Sequence, residues 1–165
     1  MKTKSPPLSS WIFIVTILWI GFLLAISFME APLKFCAPSL TLPVALEIGY
    51  IVFHALNLVE IIFAALILAA TYFGLTSRKS ILFAVGVIGI LIIQTVLLFT
   101  KLDARTLAII NGLETSSTPY HIVYMVMEVI KLIGLVVLAF YQLGDFRLSV
   151  IKLTRQNLEN PNRVR

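Results

Sequence analysis

Polar side chains that could do chemistry are concentrated in two otherwise apolar stretches. EIGYIVFHALNLVE carries Glu47, His54, Asn57 and Glu60, and YHIVYMVMEVIK carries His121, Tyr124, Glu128 and Lys131. Carboxylates and an ammonium in apolar surroundings can form a structural ion-pair network, or they can line a path for a proton, an ion or a polar substrate. At about 100° per residue each quartet drifts around one side of a helix. The two stripes are therefore expected to face each other. With a rise of about 1.5 Å per residue, Glu60 and Lys131 fall at similar depth and are the expected contact. Glu128 stands three residues before Lys131, within reach on the same helix.

The histidines open a second chemistry. Imidazoles on facing helices can supply axial ligands to a haem. His54 and His121 would then make the chain a haem-containing membrane oxidoreductase or haem-handling protein. With level helices His54 lies about 10 Å deeper than His121, so hydrogen bonding is the simpler use of each ring and no cofactor is expected. Met29, Cys36, His121 and Met125 include soft ligands suited to copper, but at no recognisable spacing. In the outer connections Glu30, Lys34, Asp103 and Arg105 are either ligand contacts or loop-anchoring ion pairs. Exposed pairs of that kind contribute about 0 to 1 kcal/mol. No Ser-His-Asp arrangement, phosphate loop, nucleophile elbow or zinc motif is recognisable, so the reading leans away from an enzyme.

The elements that must position these groups are apolar runs. The chain has 165 residues, 59% hydrophobic and 13% charged, with a mean hydropathy of +1.00. This composition predicts an all-α, integral multi-pass membrane protein. Spans are expected at 11–29, 44–73, 81–99 and 120–143, each at least about as long as the roughly 20 residues that cross a bilayer. Together they predict one membrane domain over 1–165, built as a four-helix bundle. The first run is longer than the core of a signal peptide, which favours an uncleaved anchor. Residues 30–43, with Pro32, Pro38 and Pro43, read as a connecting loop. A tight turn is expected over 74–80, and a polar connection over 100–118 with a short surface helix at 107–113.

The net charge of +5 sits at the ends of the apolar runs, and no nucleic-acid motif accompanies it. Lys2, Lys4, Arg78, Lys79, Arg147, Lys152, Arg155, Arg163 and Arg165 fall on one side, against Lys34, Lys101 and Arg105 on the other. That asymmetry predicts both termini in the cytoplasm, of a plasma membrane or a bacterial inner membrane. The basic tail, 144–165, interleaves Leu148, Ile151 and Leu158 with its charges and suits anionic lipid headgroups. Each half of the chain reads apolar span, polar connection, then a span polar in its first half. Overlaying Tyr50–Glu60 on His121–Lys131 aligns YIVFHALNLVE with HIVYMVMEVIK, which suggests a tandem repeat of two helical hairpins.

FMEAPLKF after the first span, KLDARTLAIINGLET after the third and YHIVYMVMEVIKLIGLVVLAF in the fourth carry a resemblance. The chain resembles the small four-span membrane proteins related to transmembrane protein 205, the domain of unknown function 4149 group. The matching motifs are Pro32 with Phe35, the run Asp103, Arg105 and Thr106, and Tyr120 with His121. The resemblance implies a four-span fold and a link to metal or drug tolerance, and it supplies no catalytic residues. The sequence thus points to a small transport, ligand-binding or partner-stabilising subunit. It would sit in a lipid bilayer, as a homo-oligomer or beside a membrane partner.

Overall fold

The structure, a computed structural model, describes residues 9–74, 76–113 and 119–159. All regular elements among the described residues are helical. Helix α1 (Ser9–Leu23) runs into a π-helical segment (Leu24–Glu30), a short α2 (Ala31–Leu33) and a 3-10 turn (Lys34–Cys36). Helix α3 (Leu42–Tyr72) returns. Helix α4 (Arg78–Ile93) passes through a second π-helical segment (Gln94–Leu98) into α5 (Phe99–Ile110), and α6 (Tyr120–Glu159) follows. The stretches Trp11–Cys36, Leu42–Tyr72, Arg78–Ile110 and Tyr120–Lys152 are long and apolar enough to cross a membrane.

Two of these stretches are longer than hydropathy alone suggests. Residues 30–36, expected in a loop, remain helical. In an ordinary helix Pro32 would clash with the carbonyl four residues back. The backbone widens first: the Ala31 N–H reaches Ile26 O, five residues back, and Pro32 then takes the first turn of α2, where its missing N–H breaks no bond. Residues 100–110, expected as a polar connection, likewise form α5. The anticipated short helix at 107–113 is instead the last turn of α5 and its cap. There Gly112 adopts φ +75°, its N–H bonds Ile109 O at 3.0 Å, and the Leu113 N–H bonds Ala108 O at 2.9 Å. That is a Schellman ending, which requires the left-handed conformation glycine accepts without strain.

At the other end of the bundle α4 starts under a double cap. The Ser77 hydroxyl accepts from the Ser80 N–H at 3.3 Å. Asp145, on α6, accepts from the Ser77 N–H at 3.1 Å and from the buried Ser80 hydroxyl at 2.8 Å. A carboxylate there also meets the positive end of the helix dipole. Arg78 and Lys79, expected in a turn, therefore sit in the first turn of α4.

Helix α1 packs on α3 and α6, and α4 packs on α6 and α3, which leaves α3 and α6 across a diagonal from each other. Trp19, Leu23, Ile67, Val87, Leu91, Leu135 and Leu138 fill the centre. A Cβ added at Gly134 would lie 2.8 Å from Val87 Cγ2, so α4 and α6 approach through a missing side chain. Outward, Trp11, Ile51, Leu82 and Phe140, one from each long stretch, are more than half exposed. The outer surface along these helices thus carries many large apolar side chains.

Candidate functional site

Across the α3–α6 diagonal the gap is filled by long polar side chains. Lys131 is fully buried, and its Nζ lies 2.7 Å from Glu60 Oε1, 2.8 Å from Glu128 Oε1 and 2.9 Å from Gln94 Oε1. An ammonium has three hydrogens, and each has an acceptor here. The acceptors are themselves held. The Trp19 indole N–H donates to Glu60 Oε1 at 2.9 Å, and the Gln94 amide donates to Glu128 Oε1 at 2.9 Å. The Ser27 hydroxyl donates to Glu128 Oε2 at 3.1 Å.

This cluster draws on all four long helical stretches. Two of its members come from the π-helical segments: Ser27 from the first and Gln94 from the second. In each segment the closing hydrogen bond runs five residues back, Ala31 to Ile26 and Phe99 to Gln94. The extra residue turns the helix and re-aims the side chains next to it. Both groups that reach Glu128 from other helices arise where the backbone has widened. Burying charge in this way is costly unless every lone pair is met, and breaking such a pair costs far more than it gains by existing.

Beside the cluster lies a cavity of about 530 Å³. Its inner wall holds Ser27 and Glu128, and aromatic rings from Phe28, Phe35, Tyr50, Phe53, Phe99 and Tyr124 alternate with small and aliphatic residues such as Ala45, Leu46 and Leu102 around the remainder. Lys34, His54, Asp103 and His121 also line it. Several rings brace one another edge to face, with Phe53 and Phe99 each about 6 Å from Tyr124 between centroids (5.7 and 5.9 Å). Volume and lining both fall in the range of small-molecule sites, mostly apolar with a few placed polar groups.

The candidates from sequence divide accordingly. Glu60, Glu128 and Lys131 meet in the buried cluster, and the anticipated Glu60–Lys131 contact is its shortest ion pair. His54 does not join it. Its Nδ1 lies 2.8 Å from Tyr50 O and its Nε2 lies 3.2 Å from Asp103 Oδ2, which pairs a candidate of the helical stripe with one expected in an outer loop. Asn57 donates to the Thr95 hydroxyl at 2.8 Å, and Thr95 in turn donates to Leu91 O. Tyr124 is buried and His121 exposed, both on the cavity wall. Lys34 pairs with Glu30 at 3.5 Å, and Arg105 is half-buried on α5. Glu47 is exposed on α3 and lies outside both the cluster and the cavity lining, because it is rotated off the inward face that its neighbours Ala45 and Gly49 share.

Trp19, Ser27, Gln94 and Thr95 were not legible as site residues. The available signals were an indole N–H and a lone amide inside apolar runs, each of which needs a partner when buried. For haem, the geometry requires a sacrifice: both ring nitrogens of His54 already face oxygen atoms. Among the described residues no three metal-capable side chains gather in one place. No family model, curated protein or solved structure matches the chain. What the site does is therefore read from its own geometry.

Proposed function

We propose that this chain is a four-span integral membrane protein that binds an amphiphilic small molecule in the aromatic cavity, as a ligand-binding or transport subunit. The observation that carries this reading is Glu128, which forms part of the cavity wall and at the same time bonds Lys131 in the buried cluster. A ligand in the cavity thus touches a group tied to every span. Occupancy can change how the helices are held, the coupling a transport or ligand-sensing subunit needs.

Four apolar helical stretches with an apolar outer surface suit a bilayer. The Lys and Arg asymmetry supports cytoplasmic termini. On the continuous α6, Arg147 and Lys152 lie in the last turns of the apolar stretch, Arg155 follows it, and the three suit anionic headgroups. The tandem-repeat reading gains support from the backbone. Shifted by the 71 residues that separate Tyr50 from His121, the π-helical segment Leu24–Glu30 falls on 95–101 and overlaps the second one, Gln94–Leu98. The motif resemblance to the relatives of transmembrane protein 205 agrees with four spans.

The binding role is tested by photo-crosslinking detergent-solubilised protein with a neutral alkyl-diazirine amphiphile and mapping the adducts by mass spectrometry. Adducts are expected on 45–54 and 121–129, and they should be lost when Leu46→Trp fills the cavity. Labelling spread evenly over the apolar surface and unchanged by Leu46→Trp refutes the proposal.

A further inference from the structure

The cavity already contains a cation, supplied by the chain itself. The Lys34 side chain is only 9% exposed. Its Nζ sits 5.4 Å from the Phe53 ring centre and 5.7 Å from that of Phe35, both within cation–π range. The ammonium is nested against Gly49, where an added Cβ would stand 2.8 Å from Nζ. It is weakly tethered, however. Its carboxylate partner, Glu30 Oε2, lies at 3.5 Å, and that oxygen is buried without a hydrogen bond. Lys131 makes three polar contacts of 2.7 to 2.9 Å in the cluster, whereas Lys34 relies on one long ion pair and two ring faces.

From this arrangement we infer that the cavity is a binding site for a small organic cation, and that Lys34 occupies its aromatic subsite as a displaceable internal substitute. The inference rests on the binding role proposed above and names its ligand class. Aromatic faces attract a cation of any shape through the ring quadrupole, and delocalised or alkylated cations lose little hydration when they enter. The carboxylates favour the same sign. Glu128 and Asp103 line the cavity, and Glu30 is released when Lys34 swings away. An incoming cation therefore takes over contacts that Lys34 gives up, and Lys34, on a helical end next to the 37–41 connection, can move outward on its flexible stem.

The test uses two ions of nearly equal size and shape and opposite charge, tetraphenylphosphonium and tetraphenylborate. Each is titrated calorimetrically into the full chain in non-ionic detergent. Saturable one-site binding is expected for the phosphonium, and only unsaturable partitioning for the borate. Lys34→Met should tighten phosphonium binding about tenfold, since two competing cation–π contacts and one like charge are removed. Phe53→Leu should weaken it several-fold. The gain in Lys34→Met is the informative sign, because a misfolded variant cannot bind more tightly. Equal saturable binding of both ions, or unchanged or weaker phosphonium binding in Lys34→Met, overturns the cation inference and leaves the binding role standing. Saturable binding of neither ion overturns the cation inference, and the binding role then falls as well only if the neutral diazirine adducts are also unaffected by Leu46→Trp.

Discussion

Replacing Lys131 by Met is the most informative perturbation of the buried cluster. The side chain is fully buried, so the substitution keeps its volume and apolar stem while removing the only cation among two carboxylates, an amide, an indole and a hydroxyl. Glu60 keeps its bond from Trp19, and Glu128 keeps those from Ser27 and Gln94. Two carboxylates then share a buried space with no counter-charge. Breaking a buried pair from one side costs about 3–5 kcal/mol. Glu60→Gln is the opposite case: it leaves Lys131 with Glu128, a neutral pair, and an amide that still accepts from Trp19. Its expected cost is about 1–2 kcal/mol, a weakened charge-assisted bond with no stranded charge. Unfolding free energies from SDS titration in mixed micelles measure both, and the double variant should lose at least about 1 kcal/mol less than the sum of the singles. Equal losses for Lys131→Met and Glu60→Gln, or strict additivity, would show that the ammonium does not balance both carboxylates.

Other expectations follow from single contacts. Gly134→Ala should destabilise by about 1–3 kcal/mol in the same titration, because its Cβ would stand 2.8 Å from Val87 Cγ2 where two helix backbones meet; a neutral effect would mean that α4 and α6 slide freely. Asp145→Asn should cost about 1 kcal/mol, the loss of a charged acceptor at the start of α4, and Asp145→Ala more, since it leaves the buried Ser80 hydroxyl without that acceptor. Cys36 is the chain's single cysteine and is exposed. A membrane-impermeant maleimide added to intact cells should label it if both termini are cytoplasmic, and labelling only after permeabilisation would invert the topology.

Helix existence was legible in the sequence because it follows from hydropathy, and the confinement of the charges to one half of the second and fourth helices followed from their positions. Glu60 and Lys131 lie 18 and 11 residues past the first residues of α3 and α6, so level starts would put them about 10 Å apart in depth, and their contact means that the two helices begin at different depths. Rotation was less legible. Glu47 and Glu60 are thirteen residues apart, and an ideal helix turns about 1300° over that distance, so a stripe drawn through both drifts off the inward face. The helix ends were misplaced for a different reason. Pro32 and the charges of α5 are local signals for a loop, and both were overridden, the first by a π-helical turn and the second by a half-buried amphipathic face.

The same π-helical turns explain why Ser27 and Gln94 could not be assigned to Glu128 by counting. Periodicity arguments assume 3.6 residues per turn, and one inserted residue rotates everything beyond it by about 100°. A straight helix through 24–30 would aim a different face at α6 from the one that carries Ser27. If the turns exist to aim Ser27 and Gln94, removing one residue from within 94–98 should restore an ordinary helix, swing Gln94 away from Lys131 and expose α5 to a rotated packing face. The expected result is a larger loss of stability than Gln94→Leu, which deletes the amide without turning the helix. A deletion no worse than Gln94→Leu would mean the extra residue is a passive defect and that the cluster does not depend on it.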